Sequence, residues 1–264
     1  MIVDCHQHLP VLQDGKTFEH SREILLRELD QNNVEYAILI PDNKPVSSIG
    51  NMTEVLKVAE GFPRLFVMGT VDIQRRMQNQ LYVLDALFED GKLFGIKIFP
   101  GHDPIYPTDK RLSPVYDLCV KYDTPIVIHT GRTEKNLRAA KYNDPKHIVK
   151  VADSFPSLKI VISHYFVPEV EYCHELLKSY EKICFDTSAL ADGSIVNLTG
   201  EDRIREVLLS TIIEHPNNVL FGTDYAMCDI KKHVDLINSF DLEDELRRKI
   251  FSQNAIELFN LPLQ

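Results

Sequence analysis

The sequence predicts an α/β chain folded as a closed barrel of eight parallel strands ringed by helices, in one domain spanning residues 1–264. Three observations predict it. Short, β-prone apolar runs alternate with stretches of helical spacing from one end of the chain to the other, most runs start about thirty residues apart, and no Pro-, Gly- or Ser-rich linker divides them. Strands that read as continuous apolar runs belong to parallel sheets covered on both faces. Eight such units within about 250 residues suit the (β/α)8 TIM barrel better than an open, doubly wound sheet.

The first strand starts near residue 2, in MIVDCHQHLP. Ile24, Leu25, Leu26 and Leu29 then recur among charged residues and predict a helix over 18–33, followed by the strand VEYAILIPD, which ends at Pro41. Helices over 51–61 and 78–90 precede the strands RLFVMGTVD and LFGIKIFPG. A helix over 113–122, with Pro114 suited to its first turn, leads to TPIVIHTG, and one over 144–155, with Pro145 early, leads to LKIVISHYF. The stretch 168–180 leads to KICFDTSA and 202–215 to NVLFGTDY, and helical segments over 230–240 and 243–259 close the chain. The connection 101–112, GHDPIYPTDKRL, is rich in turn formers and is expected over one mouth of the barrel.

Composition excludes several classes. A formal net charge of −10 and a pI near 5.5 argue against nucleic-acid or anionic-membrane partners, which need a basic surface. Five scattered cysteines, odd in number and without CxxC spacing, read as a reduced cytoplasmic chain with no disulfide framework. No signal pattern opens the chain, and no apolar run approaches the roughly 20 residues of a spanning helix. The expected partner is a small-molecule substrate, with the oligomeric state open and a homo-oligomer allowed.

In an extended strand alternate side chains share a face, which sets Asp4, His6 and His8 together and Cys5 and Gln7 opposite. Two imidazoles so placed are half a metal site, since a catalytic zinc takes three protein ligands and keeps one position open. Barrel active sites lie at the C-terminal ends of the strands. Of the ten histidines, His6, His8, His129 and His164 sit at such ends, and Asp224 stands at the same level on the eighth strand. The others read as solvated or packed, except that the loop carrying His102 can fold over the mouth.

The segments DCHQH, IVIHTG, VISHYF, FGTDY and KIFSQNAIELFNL resemble the amidohydrolase superfamily, most closely its amidohydrolase-2 group of metal-dependent hydrolases and decarboxylases, over the whole chain. The resemblance implies that His6, His8, His129 and Asp224 bind a divalent metal, zinc most often, and that His164 polarises the substrate or binds a second ion. A bound ion lowers the pKa of water from about 15.7 towards 7. Asp224 would then be the general base and His164 would stabilise the oxyanion, the parts of a hydrolase for a lactone, ester or amide. A decarboxylase or hydratase of a small carboxylic acid is the alternative. A non-catalytic binding barrel is the third reading, and it requires a lost ligand position where all five are present.

Lys97, inside the fourth strand, is costly unless paired or modified. It is read as an ammonium for a substrate carboxylate, as a carboxylated lysine bridging two metals, which the resemblance allows, or as a lysine snorkelling outwards. One metal is the default. Arg132, three residues past His129, offers a planar fork for a carboxylate, and with Lys97 it suggests a small anionic substrate. Asp186 is weighed as a hydrogen-bond partner of a ligand histidine or as a cap, Tyr165 and Tyr225 as pocket lining or packing, and Asp4 as a structural residue deeper in the barrel.

Overall fold

The structure, a computed structural model, describes residues 1–131 and 140–263. Eight strands run parallel in sequence order: β1 Val3–Gln7, β2 Tyr36–Leu39, β3 as two segments Leu65–Val67 and Gly69–Thr70, β4 Ile96–Ile98, β5 Ile126–Ile128, β6 Ile160–Ile162, β7 Ile183–Asp186 and β8 Val219–Leu220. β3 breaks at Met68 because its neighbours differ: Met68 N donates to Leu39 O on β2, while Gly69 N donates to Gly95 O beside β4. The last seam joins β8 to β1. Cys5 N donates to Phe221 O at 2.9 Å and Asp224 N to His6 O at 2.8 Å, so the sheet closes on itself.

Helices form where the periodicity predicts them, and local chemistry sets their ends. Phe18–Gln31 buries Leu25 and Leu29. Met52–Ala59 starts in a capping box, Asn51 accepting from Glu54 N while the Glu54 carboxylate accepts from Asn51 N. Ser113–Lys121 and Pro145–Ser154 carry proline in their first turns.

Two short helices escape the sequence reading, Ala140–Asn143 and Gly193–Thr199. The second is masked by Gly193, Ser194, Asn197 and Thr199, all weak helix formers. It forms because Asp192 caps it, accepting from Ser194 N at 2.8 Å. The segment predicted over 243–259 is divided into Asp244–Arg248, a π-helical turn Lys249–Gln253, and Asn254–Leu258. Ile250 O in that turn accepts from Phe221 N just past β8.

Two apolar layers result. Outward-facing residues such as Leu39, Ile96, Ile128 and Ile162 pack against the helices. The barrel interior holds Val3, Cys5, Ile38, Phe66, Val127, Val161, Cys184 and Leu220, closed below by Ala255, Phe259 and Leu261. Lys97 supplies the β4 position in that layer, in register with Val127.

β1 departs from simple alternation. Its register shifts between Asp4 and Gln7, the signature of a bulge. Cys5, expected opposite His6, packs in the interior cluster, whereas Asp4, expected on the face of His6, pairs with Gln7 Nε2 at 2.6 Å. Asp4 also accepts from Thr223 N and Oγ1 across the seam, so its structural role stands while its face is corrected. No helix among the described residues is long and apolar enough to cross a membrane.

Candidate active site

All five residues read from the sequence converge at the C-terminal mouth. His6 arrives from β1, where the bulge turns it inward over Gly222: a Cβ at that glycine would stand 2.9 Å from the Cβ of His6. His164 follows β6 directly, and its backbone and those of Tyr165 and Phe166 are left-handed, with φ of 63°, 51° and 51°. Asp224 is left-handed as well, with φ 63°. Non-glycine residues hold this conformation at a cost of about 1–2 kcal/mol each, and such outliers gather at functional sites.

Three of the imidazoles are oriented by Nδ1. His6 Nδ1 donates to Asp186 Oδ2 at 2.8 Å, His8 Nδ1 to Ile40 O at 2.7 Å, and His164 Nδ1 to Ser188 Oγ at 2.8 Å. Ser188 Oγ in turn donates to Asp186 Oδ1, so one carboxylate fixes two rings. Such partners set the tautomer that leaves Nε2 free as a ligand.

The free nitrogens face Asp224. Its Oδ1 lies 3.3 Å from His8 Nε2 and 3.5 Å from His6 Nε2. Lone pairs and a carboxylate oxygen confronting one another need a positive charge between them. Burial works against a second proton on the ring, and with the Lys97 charge nearby it pushes the His6 imidazole down to about 4. Burial lowers His164 likewise, and takes His129 well below the ordinary value. Burial alone would raise Asp224 and Asp186; the bond from His6 Nδ1 helps hold Asp186 well below the usual carboxylate range, and Asp224 is held low only by positive charge at the rings facing it, a charge that neutral imidazoles leave to a bound cation. The donor set therefore fits a divalent metal ion.

Among the described residues, His6, His164 and Asp224 present ligand atoms within 4.8 Å of one another. His8 joins them through Asp224. His129 stands one ring further out, its centroid 5.0 Å from that of His164. The structure thus draws His164, read as the electrophile, into the innermost trio. His102, set apart in the sequence only by its loop, packs edge-on against His129 with centroids 4.4 Å apart. Its loop is tied down where Asp103 accepts from Lys44 Nζ at 2.6 Å.

Asp186, weighed from the sequence as a hydrogen-bond partner of a ligand histidine or as a cap, holds His6. Ser188, two residues on in ICFDTSA, carries no role in the sequence reading, and it links Asp186 to His164. Lys97 is buried in the barrel beneath the site, where it donates to Ser163 Oγ at 2.7 Å, and burial pushes its ammonium down to about 8. Tyr165 is buried and packs against Phe185, which leaves it out of the pocket wall. Arg132 lies outside the described residues.

Above the imidazoles opens a cavity of about 600 Å³ lined by His129, His164 and Asp224, by the apolar Val167, Ala189, Ile195 and Met227, and by Lys232. A larger cleft of about 960 Å³ at the opposite end of the barrel holds Tyr36, Phe66 and Phe94 and no imidazole. Of the two, the smaller one carries the imidazoles together with Asp224.

Comparison with solved structures agrees with this architecture. An uncharacterised TIM-barrel protein of Bordetella bronchiseptica is 20% identical with a TM-score of 0.79, over 98% of both chains. A probable 2-pyrone-4,6-dicarboxylic acid hydrolase of Acinetobacter baumannii, with citric acid bound, is 13% identical with a TM-score of 0.69, over 98% of this chain and 99% of that one. A dihydroxybenzoic acid decarboxylase of a Polaromonas species, with bound manganese and the inhibitor 2-nitroresorcinol, is 14% identical with a TM-score of 0.69, over 100% of this chain and 98% of that one. No curated protein sequence matches the chain. The amidohydrolase family model (Amidohydro_2) matches residues 3–261, and the chain belongs to that family.

Proposed function

We propose that residues 1–264 form one metal-dependent hydrolase that cleaves a C–O or C–N bond of a small anionic substrate. The observation that carries this reading is the confrontation of two Nδ1-anchored imidazoles with the Asp224 carboxylate at 3.3 and 3.5 Å. His6, His8, His164 and Asp224 would hold the ion, with His129 at its margin. A divalent ion bound there supplies Lewis acidity and makes a neighbouring water more acidic. Asp224, kept ionised, takes the proton of the attacking water and returns it to the leaving group. His164, where it does not bind the ion and takes a proton on Nε2, donates to the oxygen on which charge develops. The apolar walls exclude water from the rest of the substrate. Zinc suits this donor set, and the manganese of the Polaromonas decarboxylase makes manganese the competing ion.

A second reading, decarboxylation of a small carboxylic acid, is favoured by the full-length likeness to that decarboxylase. In it Asp224 delivers a proton to carbon, which requires a carboxyl group that starts protonated. The equally full-length likeness to the Acinetobacter 2-pyrone-4,6-dicarboxylic acid hydrolase supports hydrolysis. Lys97 and Arg132 remain proposed substrate-carboxylate partners, Lys97 from below the floor. Five unpaired cysteines support a reducing compartment, the cytoplasm.

The experiment is metal analysis of untagged protein, followed by a screen of lactones, amides and aromatic acids with and without a chelator. Chelator-sensitive hydrolysis is the expected result. Chelator-sensitive release of carbon dioxide would transfer the assignment to the decarboxylase, and full activity in metal-free protein would end both readings.

A further inference from the structure

The rim between β5 and β6 holds a turn of costly backbone and one side chain that closes it. The ladder between these strands is regular up to Ile128, which pairs with Ile162. β6 then leaves the extended conformation, and the buried residues His164, Tyr165 and Phe166 follow one another in the left-handed region without a glycine among them. Buried backbone groups that lose their ladder partners at such a turn must find others.

Thr130 supplies them. It stands two positions beyond Ile128 and is 1% exposed. Its hydroxyl donates to Ser163 O at the entry to the turn and accepts from Phe166 N, at 2.9 Å, at its end. A hydroxyl has one proton to give, so that of Thr130 is committed although the residue borders the cavity. Ser163 is held a second time from below, where its Oγ accepts from Lys97 Nζ at 2.7 Å. Gly131, with φ 99°, lets the two loops touch: a Cβ there would stand 3.2 Å from Val167 Cγ2 and 3.3 Å from Val167 O. Ser188 fixes the ring of His164, whereas the Thr130 hydroxyl spans the turn that carries it.

We propose that Thr130 is a positioning residue for His164: its hydroxyl holds the left-handed turn closed and so keeps the imidazole in the group it forms with His6 and Asp224. The inference rests on the function proposed above and adds to it a residue that acts on the ion only through His164. Branching at Cβ stiffens the threonine at χ1 and keeps its hydroxyl on the turn. Without that hydroxyl, Ser163 O and Phe166 N are left unpaired, and the turn relaxes towards right-handed backbone and takes the ring with it.

The test compares Thr130→Val, which keeps the shape and removes the hydroxyl, with Thr130→Ser, which keeps the hydroxyl. Manganese affinity is read in competition with a chelator, and hydrogen exchange at the Phe166 amide is read by NMR on metal-free protein. Thr130→Val is expected to weaken manganese binding about tenfold, the effect of losing a group that orients a ligand, and to speed exchange at Phe166. Thr130→Ser should stay near wild type in both. Thr130→Ala, which also lacks the hydroxyl, takes the place of Thr130→Val if that variant does not fold. A merely structural role would lower the melting temperature and leave the manganese affinity of folded Thr130→Val unchanged, and that result would overturn the inference. Equal losses in the Val and Ser variants, or an unchanged exchange rate at Phe166, would overturn it as well, and all three outcomes leave the metal-dependent reading standing. Failure of wild type to take up any divalent metal, read separately by elemental analysis, would remove that reading and this inference with it.

Discussion

The two ends of the barrel are built from the same eight strands and obey opposite rules. At the floor, Ala255, Phe259 and Leu261 close the inner layer with apolar contacts. At the mouth, two residues beyond the inner-layer Val127, Val161, Cys184 and Leu220, and one beyond Cys5 on the bulged β1, stand His129, Ser163, Asp186, Gly222 and His6, and the backbone at His164 and Asp224 is left-handed. The floor gains stability from burial, whereas the mouth spends some of it on orienting rings. Stability and chemistry are thus separated along the barrel axis, as in other barrels of this kind.

That contrast can be broken in four ways. His6→Ala or Asp224→Ala at the mouth should abolish metal content and turnover together while the protein stays folded. Full metal occupancy in either variant, read by elemental analysis, would break the assignment. Phe259→Ala at the floor, 1% exposed, should cost about 3–5 kcal/mol of unfolding free energy in denaturant titrations yet leave metal stoichiometry at the wild-type value. Loss of metal from a folded Phe259→Ala protein would show that the two ends are not separable.

Asp186→Asn keeps the shape but weakens the hold on both His6 and His164, and should lower metal affinity about 10–100-fold in competition with a chelator. An unchanged affinity would reduce Asp186 to packing. The smallest effect is that of pH on the metal-free protein. The His6 imidazole titrates at about 4 in the fold against 6.5 unfolded, so between those values the unfolded chain holds the proton and stability falls as pH falls. His129 and His164 shift in the same direction. Asp4, which burial raises to about 7 from 3.8, opposes them, since its contribution is lost as pH rises through that window, but it is one group against three. The melting temperature should therefore drop between pH 6.5 and 4, and a flat or rising profile would mean the rings are not held neutral.

The eight βα units were legible because each strand is a short apolar run bounded by turn formers and each helix keeps a buried stripe. The rim was legible for a related reason: His129, His164 and Asp224 interrupt apolar strands at one end, and that placement follows from periodicity alone. What escaped depended on contacts distant in sequence or on local backbone. The bulge in β1 changes which side chains share a face without leaving a Gly or Pro to mark it. The Gly193–Thr199 helix relies on its cap more than on propensity. The meeting of His102 with His129 depends on how the loop after β4 folds, through the Lys44 to Asp103 bond across 59 residues.

The seam between β8 and β1 carries one further consequence. Asp4 binds Thr223 across 219 residues, and His6 meets Asp186 across 180. A chain emerging from the ribosome therefore carries the HxH pair long before its partners exist, and the early strands can pair into an open sheet with no competent ion site. The ability to hold metal arrives only when the ring closes. Metal uptake should thus report completion of the barrel, a property of the finished topology.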